Sequence, residues 1–72
     1  MKLFIFKSDV NTDQKAQSVQ EIFNRDKSII DISIDLEDVD CVLRIEADDN
    51  INETYILSKI EKIGFKCMEL VD

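Results

Sequence analysis

Strict alternation of apolar and polar side chains over residues 30–35 predicts a half-buried β-strand spanning residues 29–36. Ile32 and Ile34 would face the core, while the acidic and hydroxyl side chains between them would face water. Charged side chains on the outer positions hinder pairing with other chains. This strand is therefore expected at an edge of a sheet.

Three further apolar runs predict strands over residues 2–7, 41–46 and 65–70. The first run is continuously apolar from residue 3 to residue 6, which is typical of a central strand. Alternation within the runs sends one set of side chains toward the core. That inward set is Phe4, Phe6, Cys41, Leu43 and Ile45.

Two segments show the 3.6-residue spacing of helices that bury one face. Ala16, Val19 and Phe23 mark the first, which begins at a cap on Asn11 or Thr12 and runs to about residue 25. The second begins at a cap on Asn52 and carries an isoleucine stripe. Gly64 follows it in the position where glycine commonly ends a helix.

The predicted order is strand, helix, strand, strand, helix, strand, which defines a ferredoxin-like α/β (α+β) sandwich. Two helices would cover one face of a four-stranded antiparallel sheet with the spatial order fourth, first, third, second. The 72 residues are predicted to form a single domain, residues 1–72.

Composition narrows the function classes. A net charge of −7 disfavours nucleic acid and anionic membranes, because phosphate groups are bound by clustered lysine and arginine. No run is long enough to span a bilayer, and the start is too short for a signal-peptide core. We therefore expect a soluble, cytoplasmic protein. Two cysteines do not make a disulfide scaffold, and histidine is absent.

The loop after the first strand, residues 10–15, together with the ending Ile-Glu-Lys-Ile-Gly-Phe-Lys at residues 60–66, resembles the heavy-metal-associated (HMA) domain of copper chaperones and metal-transporting ATPases. The resemblance extends over nearly the whole chain. In that family the loop carries Met-x-Cys-x-x-Cys, whose thiolates hold a soft metal ion. The two cysteine positions fall here on Thr12 and Lys15. A hydroxyl and an ammonium are poor partners for Cu(I), which prefers thiolates. We therefore predict no metal at this loop and no cofactor. Lys15 is expected to stand near the family's metal position and to pair with Asp9 or Asp13.

Cys41 and Cys67 leave open a relocated thiol site, because both begin strands at the sheet end that carries the loop. One strand should separate them, which places their backbones roughly 9–10 Å apart. Disulfides need Cα atoms within about 7 Å. Two buried, inert thiols are the favoured interpretation, and copper or zinc binding through atypical ligands is the alternative.

Catalysis is not expected. Acylphosphatase-like enzymes share this topology and bind phosphate in the loop after the first strand, but this loop has no arginine and carries two acids. No other pairing of a nucleophile with a base is visible.

The open face of the sheet is the remaining candidate. Alternation sends Leu3, Ile5, Val42 and Met68 outward, where they would form one apolar patch rimmed by basic side chains. The sequence thus favours a small non-catalytic module with a protein-interaction or regulatory role. Its partner would be another protein or a second copy of the chain.

Overall fold

A computed structural model describes residues 1–69 of the chain. The elements follow the predicted order. They are β1 (Lys2–Ser8), α1 (Asp13–Asn24), β2 (Ile29–Ile34), β3 (Leu43–Ala47), α2 (Glu53–Lys62) and β4 (Cys67–Glu69). The strands form one sheet in the order β2-β3-β1-β4 with every pairing antiparallel. The ferredoxin-like prediction is confirmed. Leu70, the last residue of the predicted fourth strand, lies outside the described residues.

The core lies between the helices and one face of the sheet. Phe6 and Leu43 stand opposite each other on β1 and β3, and both are almost fully buried. Val19 and Phe23 of α1 and Ile56 of α2 cover them from the helical side. Burying each large side chain contributes about 1.5–3 kcal/mol. Alternation on β1 and helical spacing on α1 and α2 therefore identified the core correctly.

Loop residues complete this core. Val10, which lies between β1 and α1, is fully buried, and Ile51, which precedes α2, is 7% exposed. Neither lies in a periodic segment, so hydrophobic spacing gave no sign of their burial.

Both helices begin and end as their sequences predict. Thr12 Oγ1 accepts from the Lys15 N–H at 3.1 Å, and Asn52 Oδ1 accepts from the Tyr55 N–H at 2.9 Å. Each contact satisfies an amide that the helix leaves unpaired. Gly64 adopts φ +89° after α2, and its N–H donates to the Glu61 carbonyl at 3.0 Å. The next N–H, from Phe65, donates to the Ile60 carbonyl, which completes a Schellman turn.

The alternating pattern of the second strand breaks at its start. Ile29 pairs with Ala47 and Asp31 pairs with Glu46, which leaves Ile30 as the extra residue of a bulge. The Ile30 side chain is 56% exposed for this reason. The strand also ends at Ile34, two residues earlier than predicted.

The third strand begins at Leu43 and not at Cys41 as predicted. Cys41 has φ +45°, a left-handed conformation that few residues other than glycine adopt. An extended strand cannot pass through such a residue, so residues 35–42 form a loop. Its backbone is tied to β1 by the Ser8 N–H, which donates to the Asp40 carbonyl at 2.9 Å.

Within residues 1–69, neither helix has the length or the apolar character needed to cross a membrane.

Candidate functional site at the loop end of the sheet

The β1–α1 loop, residues 9–12, is held by a chain of hydrogen bonds that starts at Ser8. The Ser8 hydroxyl donates to the Cys41 carbonyl at 2.7 Å and accepts from the Val10 N–H at 3.2 Å. One hydroxyl thus joins this loop to the loop before β3. The same contacts fix Val10 so that its side chain enters the core.

Asp9 joins the β1–α1 loop to Lys66, the residue just before β4. Its N–H donates to the Lys66 carbonyl at 3.2 Å, and its carboxylate accepts from the Lys66 N–H at 2.9 Å. The β1–α1 loop and the start of β4 therefore form one connected end of the sheet.

Thr12 and Lys15 are the positions that the resemblance aligns with the cysteines of HMA domains. Both make contacts at the start of α1. Thr12 caps α1 through its hydroxyl. The Lys15 ammonium donates to Asn11 Oδ1 at 3.0 Å. The expected ion pair of Lys15 with Asp9 or Asp13 is wrong, since residues 1–69 contain no such contact. The Lys15 ammonium contacts Asn11 instead, and the Asp9 carboxylate accepts from the Lys66 amide.

These residues do not fit a soft metal ion. The hydroxyl is a capping acceptor, and an ammonium at the second position repels cations. In the described part of the chain no three cysteine, aspartate or glutamate side chains lie close enough together to hold a metal.

Cys41 and Cys67 lie on either side of Ser8. Cys67 stands opposite Ser8 in the β1–β4 pairing, and the Cys41 carbonyl accepts from the Ser8 hydroxyl. Both thiols are free; Cys41 is buried and Cys67 is half-buried. Burial, followed by the negative charges of nearby acids, raises the pKa of the Cys67 thiol to about 11. The thiolate that a metal or an electrophile requires is therefore strongly disfavoured at Cys67.

A groove of about 700 Å³ opens at this end of the sheet. It lies among the end of β1, the loop before β3, the turn after α2 and β4. Phe65 and Met68 supply apolar surface, and Val39, whose side chain is 96% exposed, stands at its margin. Its charged side chains are those of Lys7, Asp9, Asp40, Glu61 and Lys66.

The predicted open-face patch needs correction at Val42. This side chain is only 5% exposed, because the loop before β3 is fastened to the strands on both sides and encloses it. Leu3 and Met68 are 57% and 56% exposed, and Ile5 is half-buried. Arg44 and Glu46 stand opposite Ile5 and Leu3 and interrupt the apolar surface. A continuous four-residue patch is therefore absent, and a role of the remaining side chains in binding stays a prediction.

Sequence reasoning missed the groove. Val39 lies between the second and third predicted strands and was assigned no role, whereas the structure leaves it as the most exposed large apolar side chain of residues 1–69. A valine among the three acids of Glu-Asp-Val-Asp was the available signal, since turns seldom need a β-branched residue.

Comparisons with known proteins extend this description. No protein-family model matches the chain, and no curated protein matches it. A solved structure described as "Crosstalk between Cu(I) and Zn(II) homeostasis" is similar with a TM-score of 0.82 at 7% sequence identity. The match covers 97% of this chain and 100% of that chain. At this identity the likeness shows the shared ferredoxin-like fold.

Proposed function

We propose that this chain is a small non-catalytic module that binds another protein through the groove at the loop end of the sheet. The observation that carries the proposal is the almost complete exposure of Val39, which lines the groove together with the partly buried Phe65 ring. Exposed apolar side chains that converge on one concavity more often mark an interface than isolated ones do.

The polar groups at this end support binding over chemistry. Ser8, Asp9 and Thr12 are engaged in hydrogen bonds that hold the loops together, so they are not free to act on a substrate. A catalytic nucleophile would need an adjacent base. The Cys67 thiol, which lines the groove, is not activated in this way, because burial and then nearby acids raise its pKa.

The charge of the chain favours a basic partner. Three acids and two lysines line the groove, and the chain carries a net charge of −7. Long-range attraction would speed association with a cationic protein surface and would weaken as salt rises. Nucleic acid is disfavoured by the same charge. The two free thiols suit a reducing compartment, and we place the protein in the cytoplasm.

Substitution at the groove margin tests this proposal. Val39→Asp changes an almost fully exposed side chain, so the fold should be kept while the apolar contact is lost. Ile30→Asp is the matched control, because Ile30 is an exposed apolar residue on β2, away from the groove. Partners captured by crosslinking in cells should be lost with Val39→Asp and kept with Ile30→Asp. Binding of a purified partner by calorimetry should follow the same pattern. Equal capture by both variants would contradict the proposal.

Metal handling is the second candidate function. It is favoured by the likeness to the structure described in terms of Cu(I) and Zn(II) homeostasis. Cys41 and Cys67 are the only soft donors other than methionines in the sequence, and they lie on either side of Ser8. Binding there would require the Cys67 thiol to lose its proton, although burial and then nearby acids raise its pKa. Cu(I) binding that disappears in a Cys41→Ser, Cys67→Ser variant would establish this function.

A further inference from the structure

Within residues 1–69, the outer edge of β4 carries backbone groups without a partner, and their direction follows from the register of β4 with β1. On β1, Lys7 stands opposite Met68 and Ser8 stands opposite Cys67. The next pair is Asp9 with Lys66, where the Asp9 N–H donates to the Lys66 carbonyl. Hydrogen-bonded and non-hydrogen-bonded pairs alternate along antiparallel strands. Met68 therefore directs its N–H and C=O toward β1, while Cys67 and Glu69 direct theirs outward.

The two edge strands of the sheet, β2 and β4, differ in how well they are protected from pairing with a strand of another chain. The β2 edge has a bulge at Ile30, which bends this strand and hinders further pairing. The β4 edge pairs with β1 without a register shift over its three residues. Only this edge offers a regular ladder to another strand within residues 1–69.

We propose that β4 pairs antiparallel with β4 of a second copy of this chain, about a two-fold axis at Met68. The outward backbone groups of Cys67 and Glu69 lie symmetrically on either side of Met68. Cys67 of each copy can therefore form a hydrogen-bonded pair with Glu69 of the other copy. Met68 would then face its own counterpart in a non-hydrogen-bonded pair, where Cα atoms approach to about 4.5 Å. This arrangement covers the exposed Met68 side chain and extends the sheet across both copies.

A second copy fits this edge better than an unrelated strand because the edge is self-complementary. An isologous contact uses the same surface on both chains and closes on itself. Since the β2 edge is blocked, pairing stops at two copies. The charge of −7 on each chain opposes association, so added salt should strengthen the dimer.

Light scattering and sedimentation over a concentration series, at low and moderate salt, test the proposal. The wild-type mass should rise from 8.4 kDa toward twice that value, and more readily in salt. Glu69→Pro removes an outward N–H and should shift the dissociation constant at least tenfold, since proline is tolerated where a strand's N–H faces solvent. Glu69→Ala keeps that N–H and should still dimerise.

A second pair of variants distinguishes a dimer formed through the β4 edge from a dimer formed by stacking of the open sheet faces. Neither variant removes a backbone N–H. Met68→Lys places two ammonium groups at the two-fold axis and should abolish the dimer. Leu3→Lys alters an equally exposed residue of β1 and should not. Circular dichroism should show native content in each. A wild type that stays at 8.4 kDa throughout would overturn the proposal, as would dissociation by Leu3→Lys alone. Val39→Asp should dimerise normally, so failure of the groove proposal would remain a separate result.

Discussion

The Asp26 carboxylate accepts a hydrogen bond from the Lys59 ammonium at 2.5 Å, which joins the turn after α1 to α2. The same oxygen accepts from the Tyr55 hydroxyl, and the other oxygen accepts from the Ser28 N–H at 2.9 Å. The Lys59 ammonium also lies 5.6 Å from the centre of the Phe23 ring and contacts Tyr55 in the same way. These contacts connect parts of the chain about 30 residues apart and hold α2 against the end of α1.

This cluster predicts a specific dependence of stability on pH. Hydrogen bonds from Lys59 and then Tyr55 lower the pKa of Asp26 to about 2. A carboxyl whose pKa is depressed by folding stabilises the folded state above its unfolded pKa, near 4, and loses that contribution as pH falls toward 2. The Asp26 side chain is 9% exposed, so we apply no discount for solvent screening. The lowered pKa then contributes about 2 kcal/mol to the free energy of unfolding.

Asp26→Asn should therefore destabilise the protein by about 2 kcal/mol above pH 5, with the deficit shrinking toward pH 2. Urea unfolding at a series of pH values measures this difference. Lys59→Met is the complementary variant, because it removes the largest cause of the lowered pKa of Asp26 and leaves the contacts from Tyr55 and Ser28. Its loss of stability between pH 5 and pH 2 should therefore be smaller than that of the wild type. A deficit in Asp26→Asn that stays constant between pH 5 and pH 2 would rule out the assigned role.

Gly64 gives a prediction that depends on backbone conformation alone. Its φ of +89° is costly for residues with a Cβ, but a Cβ built there would meet no atom within 4 Å. Gly64→Ala should lose about 1–2 kcal/mol in free energy of unfolding, with no loss from steric contact. Gly64→Asn should lose less, because asparagine adopts left-handed conformations more readily. Equal stability of Gly64→Ala and wild type would contradict the left-handed assignment.

The cysteines should react slowly in the folded protein. With the pKa of Cys67 raised to about 11 from 9.0, its thiolate fraction at neutral pH falls about 100-fold. Peptide-resolved labelling with iodoacetamide should therefore be about 100-fold slower at Cys67 than at an unperturbed cysteine. Labelling of buried Cys41 should be slowed at least as much. Unfolding in urea should restore rapid labelling at both. Rapid labelling of both in the native protein would support the metal-handling alternative.

Periodic patterns were sufficient to predict the order of the elements and most of the core. Alternation on β1 and β3 correctly placed Phe6, Leu43 and Ile45 inside, and helical spacing placed Val19 and Phe23 against them. These signals are local, because strands and helices repeat every 2 and 3.6 residues. The caps at Thr12, Asn52 and Gly64 were equally local and were confirmed.

Features without a repeat could not be predicted in the same way. The left-handed φ of Cys41 interrupts the extended run before β3, and the burial of Val42 follows from the loop that results. The bulge at Ile30 depends on register with β3, which the β2 sequence alone does not fix. Lys15 was expected to pair with Asp9 or Asp13, but its ammonium donates to Asn11, and Asp9 accepts from the amide of Lys66, which is distant in sequence. The Asp26 cluster and the groove likewise combine residues remote in sequence.

We propose that the loop end of this sheet serves protein binding and does not hold a soft metal ion. Non-denaturing mass spectrometry of the reduced protein, after addition of one equivalent of Cu(I) or Zn(II) in the presence of a competing thiol ligand, tests it most directly. The wild type should retain the metal-free mass of 8.4 kDa. The Thr12→Cys, Lys15→Cys variant, which introduces two thiols at the positions where the resemblance places the cysteines of HMA domains, should acquire one Cu(I), whereas Thr12→Cys alone should not. A stoichiometric Cu(I) adduct of the wild type that is lost in Cys41→Ser, Cys67→Ser would contradict the account.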